Sequence, residues 1–303
     1  MDDTIETGQF ATLSNGMRLH YASSGERGRP LILFAHGFPE FWEAWKAQLE
    51  EFGRDYFAVA PDLRGFNLSA MPDEISAYKA RNIAEDLALF ATDLGYGKFV
   101  LVAHDWGGAC AWTLAITQPQ RLHLLIIVNS PHPWLFMQAL IHDPAQQAAS
   151  TYMNWLRAEG SEHALAKNDF AMMDRFFDAP GERASPAWFD EARKRYHACW
   201  ARGLRGAVNY YRASPLHPPS ADAPGPSALS LDPEGFRVHV PTRIIWAEND
   251  RALPNSLLEG IERWVDDVVI ERVAEGSHWV VHEQPARINR LIRGFLNAHA
   301  AVT

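Results

Sequence analysis

Four short runs constrain the fold more than any other feature of this chain: residues 30–35 (PLILFA), 56–60 (YFAVA), 99–103 (FVLVA) and 124–128 (LLIIV). Each is apolar at successive positions and is stopped by a turn rich in glycine, proline or acid. A strand apolar on both faces is buried on both, which is the situation of a parallel sheet between two helix layers. The intervening segments carry helical spacing; over residues 78–94, Ile83, Leu87, Phe90 and Leu94 fall on one face. An earlier strand is read at residues 18–23. Strands alternating with helices imply βαβ units with right-handed crossovers, and so an α/β fold.

The rhythm breaks after Pro131. Residues 132–237 read as helical and aromatic-rich with few strand signals, and they end in a proline-rich return loop over residues 214–233. The strand pattern resumes at residues 242–246 and 268–273. The expectation is one α/β core, residues 1–131 and 238–303, carrying a helical cap at 132–237. Such an insertion would lie over the carboxyl ends of the strands, where open α/β sheets bind ligands. A chain of 303 residues is long enough for both parts.

Charge and cysteine content narrow the partners. With 37 acids against 28 bases, the net charge of −9 argues against nucleic acid or an anionic membrane surface. Cys110 and Cys199 are too few for a disulfide framework and badly spaced for a metal site. The start, MDDTIETGQF, is acidic and polar, unlike a secretory signal, and no apolar run reaches the roughly 18 residues of a membrane span. A soluble cytoplasmic protein, monomer or homodimer, with no metal and no cofactor, is the expectation.

The chemistry-bearing residues cluster just past the ends of the predicted strands. They are His36-Gly37-Phe38-Pro39-Glu40, His104-Asp105-Trp106-Gly107-Gly108, Asp250 in Trp246-Ala247-Glu248-Asn249-Asp250, and His278 in Glu275-Gly276-Ser277-His278-Trp279. Parallel strands bring such ends together in space. Ala103-x-Asp105-x-Gly107-Gly108 has the layout of a strained strand-to-helix turn that usually presents a serine nucleophile. Taken singly, an Asp after a strand is more often a helix N-cap and a lone His a polar contact. Taken together, their order is that of nucleophile, acid and histidine.

These motifs resemble those of the α/β-hydrolase fold, in particular the branch of epoxide hydrolases and haloalkane dehalogenases with an aspartate nucleophile. The resemblance runs nearly the full length and is weakest in the cap. It implies a mostly parallel central sheet flanked by helices, with Asp105, Asp250 and His278 as a triad. The chemistry fits. A serine attacking a saturated carbon would leave an ether that water cannot cleave, whereas a carboxylate leaves an ester whose carbonyl belongs to Asp105 itself. His278, oriented by Asp250, would activate water against that carbonyl, and the backbone N–H groups of Phe38 and Trp106 would hold its oxyanion.

The leaving group decides the substrate. An opening epoxide leaves an alkoxide that needs a proton, which tyrosine hydroxyls can supply. Tyr152 and Tyr211, the latter in Asn209-Tyr210-Tyr211-Arg212, match the two cap tyrosines of epoxide hydrolases, while Tyr210 reads as packing. Phe38, Trp106 and Trp155 are read as substrate contacts. A hydrolytic dehalogenase is the alternative, since the indole N–H of Trp106 can bind halide and Trp155 could add a second donor. Haloacetate enzymes, however, carry arginines after the nucleophile where this chain has Trp106 and Ala109, and haloalkane dehalogenases typically have Asn where Phe38 stands. Some of these place the triad acid where this chain has Asn129, which leaves Asp250 as the acid. Glu248, Asp266 and Asp267 rank below it. A non-catalytic ligand-binding protein of the same fold is the remote alternative. The preferred expectation is a cofactor-free epoxide hydrolase whose partners are a small epoxide and water.

In Asp62-Leu63-Arg64-Gly65-Phe66-Asn67-Leu68-Ser69, Asn67 replaces a glycine of the family loop; Asn tolerates positive φ better than most residues. His36 and His104 read as scaffold, and Glu191 to Arg195 as a solvated helix face.

Overall fold

The apolar runs become the middle of an eight-stranded sheet in the computed structural model, which describes residues 5–178, 185–221 and 223–300. The strands are β1 (Ile5–Thr12), β2 (Arg18–Ser24), β3 (Leu31–Ala35), β4 (Phe57–Pro61), β5 (Phe99–His104), β6 (Leu122–Val128), β7 (Thr242–Ala247) and β8 (Val268–Val273), in the spatial order β1-β2-β4-β3-β5-β6-β7-β8. From β4 to β8 every pairing is parallel; β1 pairs with β2, and β2 with β4, antiparallel.

Side chains alternate across a strand, and here both faces are covered. Leu33, Leu101 and Leu125 pack on one side with Ile83 and Leu87 of helix α2 and with Trp112 and Leu114 of α3. Ile32, Phe34, Val100, Val102 and Ile126 pack on the other with Leu49 and Phe52 of α1 and with Ile288 and Ile292 of the C-terminal helix. The helices α1, α2 and α3 are Lys46–Phe52, Ala80–Asp93 and Asp105–Thr117. Helix α2 buries Ile83, Leu87 and Phe90 as the spacing predicts, and Leu94 is its C-cap.

Two strands depart from the expected pattern. No strand is read from the sequence at β1, because IETGQFAT is mostly exposed and polar; hairpin pairing with β2 supplies what its side chains do not. β8 lies at the sheet edge, so Val269 and Ile270 stay exposed despite their apolarity.

Between β6 and β7 the chain forms seven α-helices among the described residues. They are α4 (Pro133–His142), α5 (Pro144–Ala149), α6 (Thr151–Arg157), α7 (Ser161–Leu165), α8 (Lys167–Asp174), α9 (Ala187–Trp200) and α10 (Arg205–Ala213). The chain then returns through the proline-rich segment to β7, and two helices follow β8: α11 (Val280–Glu283) and α12 (Pro285–Ala298). None of the described helices is long and apolar enough to cross a membrane. Cys110 and Cys199 are free and buried.

Register places the site. Ala35 pairs with Ala103, His104 with Val128, and Val128 with Ile245. The turns after β3, β5, β6 and β7 therefore open at one edge of the sheet.

Candidate active site

Asp105 sits where β5 turns sharply into α3, with φ of 49°. This left-handed conformation costs a non-glycine residue on the order of 1–2 kcal/mol, and the surroundings enforce it. A Cβ on Gly107 would lie 2.3 Å from the Ala35 carbonyl oxygen, and one on Gly37 would lie 2.3 Å from Asp105 Oδ1. The Ser130 hydroxyl donates to the Asp105 carbonyl at 2.8 Å. Only glycines at 37 and 107 let the β3 turn and the helix close around the carboxylate.

The Phe38 amide donates to Asp105 Oδ1 at 2.7 Å. Trp106 occupies the first turn of α3, where backbone N–H groups have no intrahelical acceptor. On the other side of the carboxylate, His278 Nε2 is 3.6 Å from Oδ2. His278 Nδ1 donates to Asp250 Oδ2 at 2.6 Å. Asp250 also accepts from the Ala252 and Leu253 amides, at 2.8 and 3.1 Å, and from Asn129 Nδ2 at 2.9 Å. Glu248 pairs instead with Arg272, and Asp266 with His239. Asp250 is the acid that reaches the histidine.

Electrostatics follow from that geometry. Burial pulls the His278 imidazolium down, but Asp250, followed by the hydrogen bond to Asp105, raises it well above its ordinary value. Burial would raise Asp250; the charge of His278 and its hydrogen bond hold it below the usual carboxylate range. Each partner thus favours the charged form of the other.

Tyr152 and Tyr211 both line the space in front of Asp105, with ring centroids 6.1 Å apart. Burial first, then the charges of Asp105 and Asp250, push the Tyr152 phenol up; burial, then Tyr152 and Asp105, do the same for Tyr211. Both stay protonated donors. Tyr210 points away and donates to the Arg64 carbonyl at 2.9 Å, as packing.

Two cavities meet at Asp105 and the tyrosines. The larger, about 300 Å³, adds Phe38, Phe176, His278 and Trp279; the smaller, about 80 Å³, adds Trp106, Phe136, Met153 and Leu253. Phe38 lines the larger of these cavities and Trp106 the smaller, both beside Asp105. Trp155 is 41% exposed and lines a separate cavity with Lys167 and Met172, because α6 turns Met153 and Leu156 inward and carries Trp155 one turn beyond the site. Trp155, expected as a substrate contact, lines neither of the two cavities that reach Asp105.

Asn67 adopts φ of 45° and donates to Asp62 at 2.8 Å, so the loop keeps its turn. His36 is scaffold: its Nε2 accepts from the Leu63 amide at 3.0 Å, and burial lowers its basicity. In the Glu191 to Arg195 segment Ala192 is buried, and Arg195 pairs with Glu43 across to the core.

A buried network around Glu40 was not assigned from sequence. Glu40 accepts from His282 Nε2 at 2.5 Å and from the Tyr196 hydroxyl at 3.0 Å, with His104 Nδ1 at 3.4 Å. His104 Nε2 in turn donates to the His278 carbonyl at 2.9 Å. Glu40 therefore ties α9 and α11 to the backbone of His278. Asn129 stands where some relatives would carry the triad acid; its side chain orients Asp250 and bonds both the amide and the carbonyl of Ala247. Their signal is position alone, each directly past a strand end or a recognised motif.

Burial would raise Glu40, but His282 and then His104 hold it far below the ordinary carboxylate range. A depressed carboxylate stabilises the fold above its unfolded value of about 4.3, and that contribution fades as pH falls toward the native value. Glu40→Gln should cost about 1–3 kcal/mol near pH 7, a loss of several degrees in melting temperature. The deficit against wild type should shrink below about pH 4. Thermal melts across pH 3–7 check both; a pH-independent deficit would mean packing alone.

A sheet of this order, with a positive-φ acid between β5 and α3 facing a His–Asp pair from the later strand ends, defines an α/β hydrolase. The chain belongs to that family: the alpha/beta hydrolase fold family matches residues 30–285. Among its relatives, the AB hydrolase superfamily protein YfhM of Bacillus subtilis is 35% identical, over 93% of this chain and 96% of that protein. Epoxide hydrolase 4 of Mus musculus is 33% identical, over 93% of this chain and 77% of its own length. The crystal structure of the Bacillus megaterium epoxide hydrolase with an inhibitor superposes with a TM-score of 0.86 at 33% identity, covering 95% of this chain and all of that one.

Proposed function

We propose that this chain is an epoxide hydrolase that converts an epoxide and water to a vicinal diol through an ester on Asp105. The carrying observation is a carboxylate gripped on one oxygen by the Phe38 amide, with His278 against the other oxygen and two cap tyrosines lining the same cavities. Oδ2 attacks a ring carbon, the C–O bond breaks, and Tyr152 or Tyr211 protonates the departing alkoxide. Esterification removes the Asp105 charge, one of the causes that raise His278. The imidazolium then gives its proton to the tyrosinate and becomes a base.

Neutral His278 takes a proton from water as the hydroxide adds to Cγ of Asp105. The oxyanion forms on Oδ1, where the Phe38 N–H already points, with the Trp106 N–H as the second donor. Collapse breaks the Cγ–Oδ2 bond, and His278 protonates the leaving diol oxygen. The new carboxylic acid then returns its proton to His278. Trp155 lines neither cavity, which favours proton donation by the tyrosines over a halide site with a second indole donor.

The cap of this reading is residues 132–237 and the core residues 1–131 and 238–303; positions 1–4, 179–184, 222 and 301–303 of these ranges lie outside the described residues. The seven helices between β6 and β7, which bring Tyr152 and Tyr211 over the strand ends, support the division.

A single turnover in ¹⁸O-water tests the covalent route. The diol takes Oδ2, so the label should appear in the Asp105 peptide and be absent from the first diol; label in the diol alone would exclude the ester. Tyr152→Phe and Tyr211→Phe should each slow alkylation about 10- to 100-fold, and the double variant about 10³-fold or more. Stopped-flow measurement of the alkylation phase reads this, and a fully active double variant would reduce both tyrosines to packing.

A further inference from the structure

We infer that the substrate of this site carries an anionic group, a carboxylate, several bonds from its epoxide ring, held by Arg175 and Arg251 at the exposed side of the larger cavity. The inference rests on the epoxide-opening reading above and adds the chemical class of the substrate.

Arg175 opens a short 3₁₀ turn, Arg175–Phe177, directly after α8, and Arg251 directly follows Asp250. Both side chains are exposed, and both line the cavity of about 300 Å³ that reaches Asp105 and His278. Among the described residues neither guanidinium has an ion pair, a side-chain hydrogen bond or a ring contact. Other arginines of this acidic protein are engaged by its own acids: Arg64 by Asp86, Arg212 by Glu162, and Arg293 by Glu51 and Asp55. An unengaged guanidinium presents five N–H donors in a fork that matches a carboxylate. Two of them bordering one cavity make a site for an anion.

The remaining charges set where that anion can lie. Asp178 borders the same cavity and pairs with neither arginine. At the reacting centre, the carboxyl groups of Asp105 and Asp250 flank His278, two acids to one imidazole. An anion beside the epoxide ring would meet those acids, whereas one at the guanidinium groups meets positive charge. Phe38, Phe176 and Trp279 supply apolar walls for the intervening part of the substrate. Arg175 also borders the neighbouring cavity that holds Trp155, so its guanidinium lies at the boundary of the site.

The test uses the full chain and three styrene oxides of matched length, with para carboxymethyl, carboxamidomethyl and aminoethyl groups. At about 0.01 M salt, kcat/KM for the carboxylate should exceed that for the amide about five- to tenfold, carried by KM. At about 1 M salt, where the screening length is roughly 3 Å, the ratio should fall toward one. In R175Q/R251Q the carboxylate-to-amide ratio should fall likewise. Preference for the amide or the amine in wild type overturns the inference, the amine pointing to Asp178 as the recognising group. A carboxylate preference unchanged in the double variant overturns it too. Turnover of none of the three overturns the epoxide reading, and the inference with it.

Discussion

Asp105→Asn is expected to lower diol formation by about 10⁴-fold or more, because the variant lacks the atom that forms the ester. The fold should survive the change. Asn tolerates φ near 49° as well as Asp does, and its carbonyl oxygen can still accept from the Phe38 amide. The amide nitrogen would stand where Oδ2 stands, 3.6 Å from His278, and it is not a nucleophile toward a saturated carbon. Intact-protein mass after mixing with styrene oxide should show no adduct, on protein whose own mass confirms the amide. An Asn variant within tenfold of wild type would mean that water attacks the epoxide directly.

His278→Gln should separate the two halves of the reaction. Alkylation needs Asp105 and the tyrosines, so it should proceed; hydrolysis needs a base beside the ester, so it should stall. The protein should gain the mass of one epoxide, release less than one equivalent of diol in a first turnover, and fall about 10³- to 10⁵-fold in kcat. Asp250 keeps three N–H donors, from Asn129, Ala252 and Leu253, so loss of its histidine does not leave it bare. The measurement is mass spectrometry of the quenched protein over time. Steady diol release at the wild-type rate with no adduct would remove His278 from the mechanism.

Legibility differed from element to element, for physical reasons. Strands β3, β4, β5 and β6 announce themselves because a strand buried on both faces has to be apolar at every position. β1 is silent because an exposed edge strand is held by backbone hydrogen bonds, which any side chain permits. Asp105 and His278 are legible because their flanking glycines and small residues are local requirements of the turns that carry them. Tyr211 is legible only by resemblance, since its own helix gives equal local grounds for Tyr210, whose hydroxyl turns to Arg64.

What the sequence by itself determined was the class of fold, the sheet's buried strands and the acidic turn after β5 that carries the proposed nucleophile, because each is written in neighbouring residues. Only the tertiary structure decided which long-range partners serve it. Asn129 meets Asp250 across 121 positions, and Glu40 meets His282 across 242. It also carried Trp155 to a separate cavity and put Arg175 and Arg251, 76 positions apart in number, at the lining of one cavity. A side chain's neighbours along the chain set its local backbone, but the direction it faces is set by how whole helices pack, and no short window of sequence contains that.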